Sequence, residues 1–95
     1  MVFIQDDLYS SKVDYKEIEI TKNLRMNGEV GVYYYSIHIK YLSGGEETME
    51  SKHINVIFYD NYVRLRFRVS LNGKMIKKAL TVTNFDLIRL PNTTS

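Results

Sequence analysis

Arg64, Arg66 and Arg68 alternate with Val63, Leu65, Phe67 and Val69, at the two-residue period that sends successive side chains of a β-strand to opposite faces. The guanidiniums therefore stand in a row with about 6.5–7 Å between neighbours, close to the spacing of phosphates along a single strand. Tyr59, Tyr62 and His53 flank this row, and Lys77 falls beside Arg68. Such residues bind rather than react: guanidiniums grip anionic groups, and aromatic rings stack or bury apolar area. Ile57 lies on the same face, and an apolar side chain among tyrosines and arginines resembles the anchors of protein interfaces.

Covalent chemistry finds little support. The chain has two histidines and no cysteine, and it lacks a nucleophile elbow, a phosphate-cradling glycine loop and a dinucleotide fingerprint. Asp6-Asp7 and Glu46-Glu47 are adjacent in sequence, so on a strand each pair splits between two faces and forms no catalytic carboxylate pair. His38 and His53 with Glu46, Glu47 and Glu50 match no metal-ligand spacing. The residues predict no enzyme, no cofactor and no metal.

The elements that position the row follow from the turn dipeptides Asn27-Gly28, Gly44-Gly45, Asp60-Asn61 and Asn72-Gly73, which predict about five strands. In a two-residue hairpin, partners keep a constant index sum. Around Asp60-Asn61 this sets Tyr59 against Tyr62, Phe58 against Val63, Val56 against Leu65 and Ile54 against Phe67, with Ile57–Arg64, Asn55–Arg66 and His53–Arg68 on the other face. Around Asn72-Gly73 it pairs Val69 with Ile76, Leu65 with Leu80 and Val63 with Val82. Lys78 falls opposite Phe67, which a β-bulge near Lys77-Lys78 would absorb.

Around Asn27-Gly28 the rule pairs Ile20 with Tyr35 and Ile18 with Ile37. Around Gly44-Gly45 it sets Glu50 against Ile39 and Lys52 against Ile37, so either a bulge shifts the register or Glu46 to Lys52 is an exposed extension. Within Tyr33-Tyr34-Tyr35, Tyr35 reads as core, Tyr33 as partly buried and Tyr34 as outward. Phe85 to Leu90 reads as a sixth strand or one helical turn, and Val2 to Tyr9 as a short helix or extra strand. The expected fold is all-β: a five- to six-stranded antiparallel meander forming a bent sheet or a small, partly open barrel. One domain spans residues 1–91, with a frayed tail over 92–95 after the only proline, Pro91.

Size and charge narrow the classes of function. Ninety-five residues make one small core, and without cysteine it rests on packing, in keeping with a cytoplasmic protein. The first residues read as no signal peptide, since Asp6-Asp7 comes too early, which would leave the Asn92-Thr93-Thr94 sequon silent. Apolar runs such as Val32 to Tyr35 and Val56 to Tyr59 fall far short of the roughly 18 residues of a membrane span, so no membrane partner is expected. Charge divides along the chain. Residues 1–50 hold five Lys/Arg and nine Asp/Glu, while residues 51–95 hold eight and two, giving −4 and +6.

Together these features predict a cytoplasmic binding domain that meets a protein partner through Ile57, Tyr59, Tyr62, Arg64, Arg66 and Arg68, with His53 and Lys77 as auxiliaries. Abundant Ile, Lys, Asn, Tyr and Phe, beside single Ala and Pro residues, suit a small regulator or inhibitor encoded by a bacterial virus or mobile element. A second reading of the same face is single-stranded nucleic-acid binding. A third is a structural subunit, self-associating through its sheet edges, and the face is otherwise covered by Val2-Phe3-Ile4 or by a second copy.

Overall fold

The computed structural model describes residues 15–91; the element expected over Val2 to Tyr9, the Val2-Phe3-Ile4 cover and the Asn92 sequon lie outside the described residues. The fold is all-β and mostly antiparallel, as the alternation predicts. Strands β1 (Tyr15–Asn27), β2 (Val30–Tyr41) and β3 (Glu46–Ser51) form a first meander, and β4 (Ile54–Phe58), β5 (Val63–Leu71) and β6 (Lys74–Val82) a second. A short β7 (Ile88–Arg89) returns to lie parallel to β1. Among the described residues the strands divide into two sheets, ordered β3-β2-β1-β7 and β4-β5-β6, and do not close into a barrel.

One core lies between the sheets. Ile18, Ile20, Ile37 and Ile39 from the first meet Val63, Leu65, Phe67, Val69, Ile76, Leu80 and Val82 from the second. The chain passes from one sheet to the other at Ser51, a buried polar residue. Its hydroxyl donates to the His53 carbonyl at 2.7 Å and accepts from the Arg68 amide at 3.3 Å. Backbone groups withdrawn from water need such partners, and here one buried side chain satisfies two part-buried ones while tying the crossover to β5.

Registers in the second sheet follow the turn chemistry. Ile54–Phe67, Val56–Leu65 and Phe58–Val63 pair as expected, and the Tyr59 amide donates to the Tyr62 carbonyl at 2.9 Å across Asp60-Asn61. Asn72 and Gly73 take left-handed φ values of 53° and 79°, as the tight hairpin turn between β5 and β6 demands. The expected bulge at Lys77-Lys78 is absent: Phe67 and Lys78 pair in continuous register. Lys78 is half-buried beside the buried Phe67, because a lysine stem can cover apolar surface with its four carbons.

Registers in the first sheet differ from the simple rule. Gly28, at φ 67°, begins the β1–β2 turn instead of ending it, and Asn27 pairs with Val30. Ile20 therefore faces Ile37, not Tyr35, and Ile18 faces Ile39, not Ile37. Between β2 and β3 a bulge resolves the conflict. Gly44, at φ 104°, donates to the Tyr41 carbonyl at 3.0 Å, and the Tyr41 amide donates to Gly45 at 2.9 Å, closing a three-residue loop with its left-handed glycine last. Met49 then faces Ile37 and Glu47 faces Ile39, displacing the expected Glu50–Ile39 and Lys52–Ile37 pairs. Met49 packs on the core. Phe85–Leu87 forms a 3-10 turn, capped by the Asn84 side chain accepting from the Asp86 amide at 3.0 Å, and leads directly into β7.

Candidate functional site

The outward face of the second sheet carries the predicted row. Across its ladder Ile57 pairs with Arg64 and Asn55 with Arg66, while Thr81, Ala79 and Lys77 pair with Arg64, Arg66 and Arg68. Arg66, Arg68 and Lys77 are exposed; Ile57, Tyr62 and Arg64 are half-buried. The alternating backbone thus separates a dry face from a basic one. His53 stays out of the ladder, which begins at Ile54–Phe67, because Ser51 holds its carbonyl in the crossover; the expected His53–Arg68 pair does not form.

At one end of the row the aromatic side chains are already assembled. The Tyr59 and Tyr62 rings stack with centroids 4.6 Å apart and planes 20° apart, and the Arg64 guanidinium lies 5.6 Å from the Tyr62 centroid. Stacked rings and a cation near an aromatic face are each mildly favourable, so Tyr62 holds Tyr59 and Arg64 in place. The result is a preformed apolar and cationic edge beside Arg66 and Arg68.

Charge is sorted by sheet. The strands of the second sheet contain Arg64, Arg66, Arg68, Lys74, Lys77 and Lys78 and no carboxylate, whereas those of the first contain five residues of each sign. On the first sheet the charges pair. Glu17 meets Lys40 at 3.7 Å and also Arg89, His38 meets Glu46 at 2.8 Å, and Arg25 meets Glu50 at 3.3 Å. The Glu50 carboxylate, by hydrogen bond and then by charge, raises the Arg25 pKa above the ordinary arginine value, with Tyr34 adding to it; the guanidinium sits 4.3 Å from the Tyr34 centroid.

These pairings disperse the histidines and glutamates considered for a metal. His38 is with Glu46, Glu47 accepts from the Tyr41 hydroxyl at 3.0 Å, and Glu50 is with Arg25. Among the described residues no three metal-ligating side chains converge, and no helix is long and apolar enough to cross a membrane.

A second surface was not anticipated from the sequence. Beyond Ile20 and Ile37 the β1–β2 ribbon exposes Leu24, Met26, Val30, Val32 and Tyr33, so Tyr33 is exposed rather than partly buried. Its signal in the sequence was the uncharged run Val30 to Tyr34. No family model matches the chain, and no curated protein and no solved structure matches it either.

Proposed function

We propose that this chain is a non-catalytic binding protein that seats an acidic patch of a protein partner on the outward face of its second sheet. The observation that carries this reading is the coincidence of Arg66, Arg68 and Lys77, all exposed, with the Tyr59–Tyr62 stack on strands that hold no carboxylate. Arginine and tyrosine supply much of the energy at protein interfaces, and an unbalanced positive face attracts and orients an acidic partner. Ile57 and Tyr59 bury apolar area while Arg66 and Arg68 engage carboxylates. The small size and the residue bias favour a regulator or inhibitor from a bacterial virus or mobile element, acting in the cytoplasm by occupying its partner's surface.

Single-stranded nucleic acid is the second reading, favoured by the row of arginines beside tyrosine rings. It ranks lower because Tyr62 already spends its ring on Tyr59 and Arg64, leaving fewer π-faces for bases. A peptide-display selection, followed by fluorescence-anisotropy titration of the selected peptides and of labelled oligonucleotides at low and physiological salt, separates the two. Acidic peptides should emerge, with binding weakened about tenfold or more by Tyr62→Ala and by Arg66→Glu and modestly by salt. Steeply salt-dependent oligonucleotide binding, lost in Arg66→Glu and kept in Tyr62→Ala, would instead favour nucleic acid. Indifference to both substitutions would remove this face from either account.

A further inference from the structure

Among the described residues, the first two strands continue past the sandwich with no further strand beside them. β3 pairs with β2 only over Tyr35 to Lys40, and β7 pairs with β1 only at Ile18 and Glu19. Among the described residues, Val30 to Tyr34 of β2 therefore have β1 on one side and an open edge on the other. A two-stranded ribbon is marginal in water, yet this one exposes Leu24 at 51%, Met26 at 58%, Val30 at 64%, Val32 at 47% and Tyr33 at 58%.

Open edges are normally guarded by charge, proline or a bulge. The β1 edge of the ribbon carries Lys22 and Arg25; the β2 edge reads Val30-Gly31-Val32-Tyr33-Tyr34, with no charge and no proline. Its register with β1 is regular throughout.

We infer that this edge pairs with the same edge of a second copy, antiparallel about a two-fold axis at Val32. Val32 then faces the partner's Val32, Val30 faces the partner's Tyr34, and Gly31 faces the partner's Tyr33. Every cross-strand pair is uncharged, and pairs of aromatic and β-branched residues are among the favourable ones. Glycine at position 31 fits this arrangement. The Leu24 Cδ1 and Met26 Sδ atoms lie 2.9 and 3.1 Å from where a Cβ at Gly31 would stand, so both side chains lean over the bare glycine. The partner's Tyr33 lands on that apolar pair, and an aromatic residue opposite a strand glycine is a recurring compensation.

Because paired residues have the same parity about the axis, the apolar face of Leu24, Met26 and Tyr33 continues across it, as does the opposite face, where Val30 and Val32 stand beside Asn27 and Arg25, and two ribbons become one four-stranded sheet. A dissimilar partner strand would have to reproduce this match by chance, whereas a second copy supplies it by symmetry. The five half-exposed side chains offer roughly 400 Å² per copy, about 800 Å² in all, the range of transient rather than obligate pairs. The dimer is therefore a weak one whose population depends on concentration.

Sedimentation of the full chain from low micromolar to near-millimolar concentration tests this. The native chain should shift from monomer to dimer; Val32→Lys sets two like charges face to face at the axis and should stay monomeric, with its circular dichroism unchanged because Val32 lies on the surface. Cysteine scanning adds a positional readout, since the native chain has no cysteine. Val32→Cys should cross-link under mild oxidation, while Thr48→Cys, exposed on β3, should not. A strictly monomeric native chain overturns the inference and hands the edge to a strand of another protein. Equal cross-linking of the two cysteine variants, or dimerisation of Val32→Lys at native concentration, also overturns it. Arg66→Glu should leave dimerisation intact, which separates this surface from the basic face.

Discussion

Ser51→Ala removes one oxygen and two hydrogen bonds at the point where the chain leaves the first sheet for the second. The residue is 5% exposed and both of its bonds are part-buried, so water replaces the lost partners only in part. The His53 carbonyl loses a 2.7 Å partner and the Arg68 amide a 3.3 Å one. Leaving a buried polar group unsatisfied costs about 1–3 kcal/mol; the first bond is short and the second long, so their joint loss comes to about 2 kcal/mol. For a domain of this size each kcal/mol moves Tm by about 4–8 °C, giving an expected fall of about 8–16 °C. Thermal and urea unfolding followed by circular dichroism would measure it, with an unchanged urea m-value showing that the loss is in stability rather than in compactness. Ser70→Ala, at an exposed position on β5, is the control and should lie within about 0.5 kcal/mol of native. A Ser51→Ala protein as stable as that control would refute the claim that this hydroxyl fastens the crossover.

Leu65→Ala should cost about 2–5 kcal/mol in urea titrations, because Leu65 is fully buried between Val56 and Leu80 across the ladder; a loss below about 1 kcal/mol would mean that the second sheet does not cover this core. Gly73→Ala should destabilise by about 1–2 kcal/mol, since φ is 79° there and a Cβ is disfavoured in left-handed backbone. Gly45→Ala should be neutral or slightly stabilising, as its φ is not positive and the nearest atom to a new Cβ is Tyr41 Cδ2 at 3.8 Å. Equal losses at the two glycines would contradict the turn assignment.

Most of the second sheet was legible in the sequence because its two turns are short and its faces strictly alternate. Any one-residue slip would have turned Leu65 and Phe67 outward and the arginines inward. The β1–β2 pair was legible in its faces but not in its partners, and β3 in neither, since its observed pairs with β2 differ from the simple ones by three positions. Moving the β1–β2 turn one residue along changes every partner by two, which preserves parity, so Ile18, Ile20, Ile37 and Ile39 stay in the core while their pairings change. Gly44-Gly45 announced a turn, but which glycine would take the left-handed angle depends on closure by Tyr41. The division into two sheets falls at Ser51, whose hydroxyl meets the Arg68 amide 17 residues away, and local pattern carries no such information. Lys78 looked like a register fault because a letter code treats lysine as polar, whereas its stem is not. The basic row was visible from alternation alone. The open β2 edge was visible only as the apolar run Val32 to Tyr35, since the sequence does not show where β3 stops.

The parallel contact between β1 and β7 joins Ile18 to Ile88, near opposite ends of the described chain, whereas β4, β5 and β6 are consecutive and linked by tight turns. Closing a long loop costs more entropy than closing a hairpin, and the slow steps in folding are those that join distant segments. The basic sheet can therefore zip from its turns while β1 still waits for its last neighbour. A chain growing on the ribosome would hold the edge of β1 open at Ile18 until residue 88 has emerged, long after the arginine-bearing strands have found their partners.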